Sequence, residues 1–308
     1  MLNVTGDGNF TSKLNQALGR KHTAGILECF SALNIFLSIS AALGNALILI
    51  ALHKVSSIYP PTKLFFRCLA VTDFSVGLVV QPLFATSMLA PFTNMDENAL
   101  NYVIEANRVS GFFLCGVSLF TSIAISVDRL LALLLGLRYR HVVTLRRVRV
   151  VILSFWLIAG SNIAISRLWG RKIAMLLIPI YITLSVATSV FCYTRIHFRL
   201  RHHQVQQLNN VPHGQPNEQS IPLNIARYKK TIASVSWLQL ALVVCYAPVG
   251  ITAALEVMGM ESLEVAFSTA DSLVYFNSSL NPILYCWKIK EVKKEAKDTL
   301  RQLYCPHA

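Results

Sequence analysis

Apolar residues along the chain gather into seven long blocks, at roughly 26–53, 63–90, 101–133, 147–168, 172–198, 229–257 and 263–287. About 20 consecutive apolar residues cross the hydrocarbon core of a bilayer as a helix, so each block suffices for one crossing and several must tilt or project. Alternation along strands is absent, which sets aside a transmembrane barrel. The pattern predicts an all-α membrane protein. A seven-helix bundle occupies 26–287, a polar tail precedes it (1–25), and a further segment follows (288–308). In that last segment, "KIKEVKKEAKDTLRQLYC", Ile289, Val292, Ala296, Leu300 and Leu303 recur every three to four residues between Lys and Glu. This spacing predicts an amphipathic helix lying on the inner membrane surface. Residues 199–227 carry Gln, Asn and Pro without a period and predict a loop, whereas "RLWGRK" (Arg167–Lys172) leaves only a tight turn between blocks four and five.

Composition agrees with this partition. The 308 residues are 54% hydrophobic and 14% charged, with a mean hydropathy of +0.51, whereas a soluble domain carries about a quarter charged residues. A formal charge of +13 on a soluble protein would point to nucleic acid, but its placement here points to topology. With the N-terminus outside, the segments 53–67, 138–149, 195–230 and 288–308 face the cytosol and hold 20 of the 28 Lys and Arg. That bias orients membrane proteins with the basic side inward, and it predicts an extracellular N-terminus, a multi-pass plasma-membrane protein and contact with anionic membrane lipids rather than nucleic acid. The tail lacks a cleavable signal pattern, so block one serves as its own insertion signal. Two glycosylation sequons, at Asn3 and Asn9, fall in the outward tail. Seven cysteines are scattered, none in an outer segment and none at zinc-type spacing, so no extracellular disulfide is expected. Cys305, after the amphipathic segment, is either a palmitoylation site or a free thiol in the tail.

Polar residues inside the blocks are the candidate chemistry. An Asp at the centre of a membrane helix costs roughly 2.5–3.5 kcal/mol on insertion scales, and Asp73 in "LAVTDFSVGLVV" is that case. Asn45, Ser118, Asn277, Ser278 and Asn281 occur at comparable depth. Together they offer a carboxylate, hydroxyls and amides, a hard-ligand set suited to a small cation or water. Pro282, in "NSSLNPILYCWK", removes one backbone donor and strands a carbonyl in the preceding turn. Asp128–Arg129 closes block three at its inner end, where a snorkelling Arg is the plain alternative to a functional one. Pro248 kinks block six, and Tyr193 and Tyr285 end blocks five and seven near the inner face. No hydrolytic motif or close pair of membrane carboxylates is present, so an enzyme is not expected. A transporter or channel with an intramembrane cation site at Asp73 stays open on these residues alone.

Taken in order, Gly44-Asn45, Leu69-Ala70-Val71-Thr72-Asp73, Asp128-Arg129, Trp156, Cys245-x-x-Pro248 and Asn281-Pro282-x-x-Tyr285 resemble the markers of the rhodopsin-like G-protein-coupled receptors, about one motif per helix across the whole chain. The resemblance implies an extracellular ligand bound between the outer helix halves and a heterotrimeric G protein engaged at the inner face. It implies an activation switch of Asp128, Arg129, Tyr193, Tyr246, Pro248, Asn281, Pro282 and Tyr285. It also implies a sodium or water pocket of Asn45, Asp73, Ser118, Asn277, Ser278 and Asn281, with Asp73 as the ion's carboxylate and no other cofactor. The chain departs from the family at several places. Ile104 stands where a bridging Cys is usual, Tyr246 where Trp is usual, Leu130 in place of the Tyr after Asp-Arg, and Ser185 where helix five usually has Pro. Tyr228 replaces the helix-six acid that would pair with Arg129. Missing the bridging Cys and the helix-five Pro, the chain looks most similar to melanocortin receptors and their lipid-receptor relatives, though Ile104 and Arg108 replace the acids of the former. Gly111 replaces the Asp that grips biogenic amines, and no Lys between Glu256 and Trp287 can form a retinal Schiff base. Gln81, Glu105, Arg108, Phe112, Cys115, Glu256 and Asp271 are the expected ligand-facing residues, and their mixed charge suits a peptide or zwitterion, with lipids and other small molecules also open.

Overall fold

The computed structural model describes residues 7–209, 240–260, 264–288 and 290–304. Helices dominate these segments. They are α1 (Asp7–Lys54), α2 (Pro60–Phe92), α3 (Glu97–Leu135), α4 (Leu145–Leu168), α5 (Arg171–Asn209), α6 (Leu240–Val257), α7 (Glu264–Lys288) and α8 (Lys290–Tyr304). The end of the bundle from which α1 runs inward is called upper, and the end bearing α8 lower. Six helices, α1 to α6, are long and apolar enough to cross a bilayer. The seventh, α7, matches them in length but carries Ser268, Ser272, Asn277, Ser278, Ser279 and Asn281. All six are buried, so its polarity faces the bundle and not lipid.

Local chemistry explains the boundaries. Two prolines at the first positions of α2 fit where backbone N–H groups have no helical partner. Asp96 caps α3, its side chain accepting from the Asn98 and Ala99 amides at 3.1 and 3.3 Å. Thr144 likewise caps α4 through the Arg147 amide. The expected tight turn between α4 and α5 is there, with Gly170 at φ 93°, a conformation that favours glycine.

Three elements differ from expectation. First, α1 continues upward to Asp7, taking Asn9 and most of the anticipated tail into helix. Between Asn9 and Gly25 no proline interrupts the chain. Second, α5 runs on to Asn209, into the expected loop, because Pro212 is the first proline after the membrane block. Third, α2 widens into a π turn at Val76–Val80, where the Gln81 amide donates to Val76 five residues back. Pro82 brings no N–H and a bulky ring to the next turn, and the extra residue absorbs both.

Packing is layered along the bundle axis. At its centre α3 touches α2, α4 and α5, while α1 lies against α2, α7 and α8. The lower apolar cluster joins Ile48, Leu52, Phe66, Leu69, Ile125 and Tyr285 to Val292 and Ala296 of α8. An upper cluster joins Val80, Phe84, Leu119, Ile182, Tyr246 and Tyr275. Val292 and Ala296 are thus inward, as their spacing predicts, but Leu300 is exposed and Thr299 is buried in its stead. The Thr299 hydroxyl accepts from Lys54 Nζ at 3.1 Å, which fixes the roll of α8 against the end of α1.

Candidate functional site

Between the two apolar clusters the helices meet through polar groups. Asp73, on α2, is fully buried and lies at the hub. Its Oδ1 accepts from the Ser118 hydroxyl of α3 and the Ser278 hydroxyl of α7, both at 2.9 Å, and its Oδ2 from Asn281 Nδ2 at 2.6 Å. A carboxylate in lipid is costly unless paired or hydrogen-bonded, and three donors from two other helices meet that need. Asn45 joins the group indirectly. Pro282 cannot donate to the carbonyl four residues back, that of Ser278, and Asn45 Nδ2 donates to that oxygen at 3.0 Å instead. Gly44, its neighbour, lets the proline ring approach: a Cβ there would stand 2.9 Å from Pro282 Cγ. The Gly-Asn pair of α1 and the Asn-Pro pair of α7 are therefore two halves of one joint. Asn277 is buried beside this group, but its Nδ2 has no partner among the described residues, nor has Asn45 Oδ1.

A sodium ion fits this donor set. The Asp73 carboxylate supplies charge, and the Ser118 and Ser278 hydroxyls carry lone pairs that can turn from donating to coordinating. The unpartnered Asn45 Oδ1 adds an acceptor for accompanying water. No cluster of three or more His, Cys, Asp or Glu suited to a metal occurs among the described residues.

At the lower end, Asp128 and Arg129 part company. Asp128 is buried and accepts from the Tyr139 hydroxyl at 2.7 Å and the Thr62 hydroxyl at 3.0 Å. Arg129 forms no ion pair among the described residues. Its guanidinium stacks over the Phe66 ring, 5.4 Å from the centroid, and that ring meets Tyr285 edge-on at 5.2 Å. The guanidinium packs inside the bundle, so simple snorkelling toward the membrane surface does not describe it. The Tyr285 hydroxyl and Arg129 Nε are buried without partners among the described residues. Tyr193 is half-buried on α5, with its ring 6.2 Å from that of His197. Tyr139 and Thr62, which hold Asp128, were not anticipated; the tyrosine amid the basic stretch after α3 was the available signal. Tyr228, Asn3 and Cys305 lie outside the described residues.

The upper half encloses a cavity of about 890 Å³, a size suited to a small-molecule ligand. Of the expected ligand-facing residues, Arg108, Phe112, Cys115, Glu256 and Asp271 line it. Gln81 and Glu105 do not. Gln81 is fully buried, both ends of its amide unpartnered among the described residues, because the π turn rotates it into the helix packing. Glu105 sits in a small side cleft, paired with both Arg108 and Arg167, and ties the upper ends of α3 and α4 together. The floor is Tyr246 of α6, whose hydroxyl donates to the Cys115 carbonyl at 3.3 Å. Phe84 and Tyr275, in edge contact at 5.3 Å, form a wall that polar-residue reasoning missed.

Two overlapping stretches, residues 44–168 and 161–285, match the family described as 7 transmembrane receptor (rhodopsin family). The chain belongs to this family. The match opens at Gly44 and closes at Tyr285, so it contains the joint between α1 and α7 and both layers below the cavity. Similar receptors include adenosine receptor A2b of Bos taurus, 33% identical over 153 residues, which is 47% of this chain and 42% of that receptor. Trace amine-associated receptor 2 of Mus musculus is 22% identical over 273 residues, 79% of this chain and 76% of that receptor. The chain thus matches under half the length of the adenosine receptor. As a member of the rhodopsin family it is a multi-pass membrane receptor and not an enzyme.

Proposed function

We propose that this receptor sits in the plasma membrane with its N-terminus outside, binds a ligand in the upper cavity, and activates a heterotrimeric G protein from its lower end. The observation that carries the reading is the Asp73 hub. It couples α2, α3 and α7 through four side chains at mid-depth, with the ligand cavity above and Arg129 below. A ligand that shifts α6 through Tyr246, pivoting at Pro248, would pull on the Cys115 carbonyl of α3, the helix that also bears Ser118 and Arg129. Arg129 would then leave Phe66 and, with Tyr193 and Tyr285, line the cleft that receives the G protein.

Sodium, when bound, supplies a positive charge beside Asp73. Ser118 and Ser278 would hold it there, with Asn45, Asn277 and Asn281 hydrogen-bonding water around it. The ion favours whichever helix arrangement brings these oxygens together, and it shifts the balance only by that difference in affinity. Lys290, Lys293, Lys294 and Lys297 give α8 a basic face for anionic lipid. The glycan sites at Asn3 and Asn9 and an acyl chain on Cys305 complete the reading. Nucleotide exchange on purified G-protein heterotrimers tests it: the protein in lipid nanodiscs should accelerate exchange, and a rate equal to that of empty nanodiscs for every α-subunit class would refute it.

A further inference from the structure

The segment joining α3 to α4, together with the first turn of α4, carries basic residues and no acid. Arg138, Arg140, His141, Arg146, Arg147 and Arg149 are all exposed there, and the sequence has no Asp or Glu between Asp128 and Glu218. Asp128 itself is buried and bonded to Tyr139 and Thr62. The basic face of α8 differs, because Glu291, Glu295 and Asp298 interleave with its lysines. Two of the arginines hold the segment in place. Arg147 Nη1 donates to the Val142 carbonyl at 2.8 Å, and the Arg140 guanidinium lies over the Tyr59 ring, 6.0 Å from its centroid. Arg138, Arg146 and Arg149 make no hydrogen bond, ion pair or ring contact among the described residues.

Helical spacing gives α4 one continuous outer stripe. Arg146, Arg149, Val150, Leu153 and Leu157 fall within about 100° of arc, whereas Val148 and Ala159, the buried residues of this helix, face the other way. Val150, Leu153 and Leu157 are 61%, 62% and 74% exposed, so the stripe faces lipid and not the bundle. Between Arg149 and Arg167 the helix has no charged residue, a stretch of about 25 Å that approaches the thickness of the hydrocarbon core. Arg146 and Arg149 therefore stand at the level of the lower headgroups, beneath a track for acyl chains. We propose that this stripe binds a phosphoinositide, its phosphomonoesters on Arg146 and Arg149 and its chains along Leu153 and Leu157. The planar fork of a guanidinium matches phosphate oxygens bidentately, and a phosphomonoester carries a charge of about −1.5 to −2, more than the whole headgroup of phosphatidylserine. Charge of one sign beside a membrane helix suits such a headgroup, whereas the mixed charges of α8 suit it less. The inference names a lipid partner for the proposed receptor and rests on its topology, which puts the lower end in the cytosol.

Native mass spectrometry of the full chain in mild detergent tests it, with phosphatidylinositol 4,5-bisphosphate and phosphatidylserine titrated separately and lipid-bound protein counted. The phosphoinositide should half-saturate the protein at a concentration at least about tenfold lower than phosphatidylserine does. The double variant Arg146→Gln with Arg149→Gln should raise the phosphoinositide value at least about tenfold, the scale of lost hydrogen bonds between charged groups, and leave phosphatidylserine nearly unchanged. Both side chains are exposed, so the variant should melt with the parent. Lys293→Gln with Lys297→Gln, on α8, should shift the phosphoinositide value by no more than about twofold. Free inositol 1,4,5-trisphosphate, which has the phosphates and no chains, should displace the lipid poorly. The proposal is overturned if the two lipids bind alike, if the α8 variant loses as much binding as the α4 variant, or if the free headgroup competes as well as the lipid. It is equally overturned if the α4 variant keeps the lipid and only raises the amount of G protein needed for exchange, which would make this surface a protein contact. No G protein enters the lipid titration, so its failure beside intact nucleotide exchange would remove the lipid site and leave the receptor reading standing.

Discussion

Asp73 stands out in the sequence as a candidate site residue, because an acid in the middle of an apolar block has no cheap explanation. Its partners Ser118, Ser278 and Asn281 were legible for the same reason, and the structure places all three on its oxygens. Replacing Asp73 with Asn keeps the size and removes the charge, so sodium's effect on G-protein activation should largely disappear. An unchanged sodium response in the variant, measured by nucleotide exchange in sodium and in potassium buffers, would remove the ion from the account. Asp128 was legible only in part. Its donors Thr62 and Tyr139 lie 66 and 11 positions away, and only folding shows which hydroxyls reach it. Tyr139→Phe leaves one oxygen of a buried carboxylate short of a donor and should cost about 1.5–3 kcal/mol. The melting temperature should fall, whereas Tyr102→Phe, at a side chain that is 78% exposed, should leave it unmoved. Equal melting of the two variants would show that the Tyr139 bond carries no stability.

Among the elements, the apolar blocks located the described helices well, since apolar length is dictated by the bilayer, while residues 229–239 of block six lie outside the described residues. What the pattern could not show is how the helices adjust to their own prolines. Pro82 signals a disturbance in α2, but whether a helix answers with a kink, a gap or a π turn depends on its neighbours. Here α1 decides. Gly77, in the π turn, lies so close that a Cβ would stand 2.7 Å from the Ala42 nitrogen, and its carbonyl accepts from Ser38 Oγ at 2.6 Å. The misplacement of Gln81 follows from the same turn, because one extra residue changes the face on which every later side chain appears. Pro282 was answered differently, by Asn45 from another helix. That joint makes a double-mutant prediction. Asn45→Ala should cost about 1–3 kcal/mol by leaving the Ser278 carbonyl unpaired. In a Pro282→Ala background, where residue 282 regains the N–H that can bond this carbonyl, the same change should cost measurably less. Thermal unfolding of the four proteins gives the coupling, and strict additivity would contradict the joint.

For the whole molecule, the fold class rests on sums over many residues, which is why it emerges from the sequence. The cavity was less legible. Five of the seven residues expected to face a ligand line it, yet its aromatic wall of Phe84 and Tyr275 and its floor contact from Tyr246 depend on how three helices lean together. The resting state of the lower end is likewise a property of the assembly. Among the described residues Arg129 is held by a ring and not by an acid, and a cation–π contact of about 0.5–2 kcal/mol is a weaker restraint than a buried ion pair. The account therefore requires appreciable G-protein activation without any ligand. The most direct measurement is the rate of nucleotide exchange on G-protein heterotrimers with the ligand-free protein in nanodiscs, compared with Arg129→Ala and with empty nanodiscs. The account predicts a rate well above empty nanodiscs that falls to their level in the variant. A ligand-free rate indistinguishable from empty nanodiscs, or one that Arg129→Ala leaves intact, would contradict it.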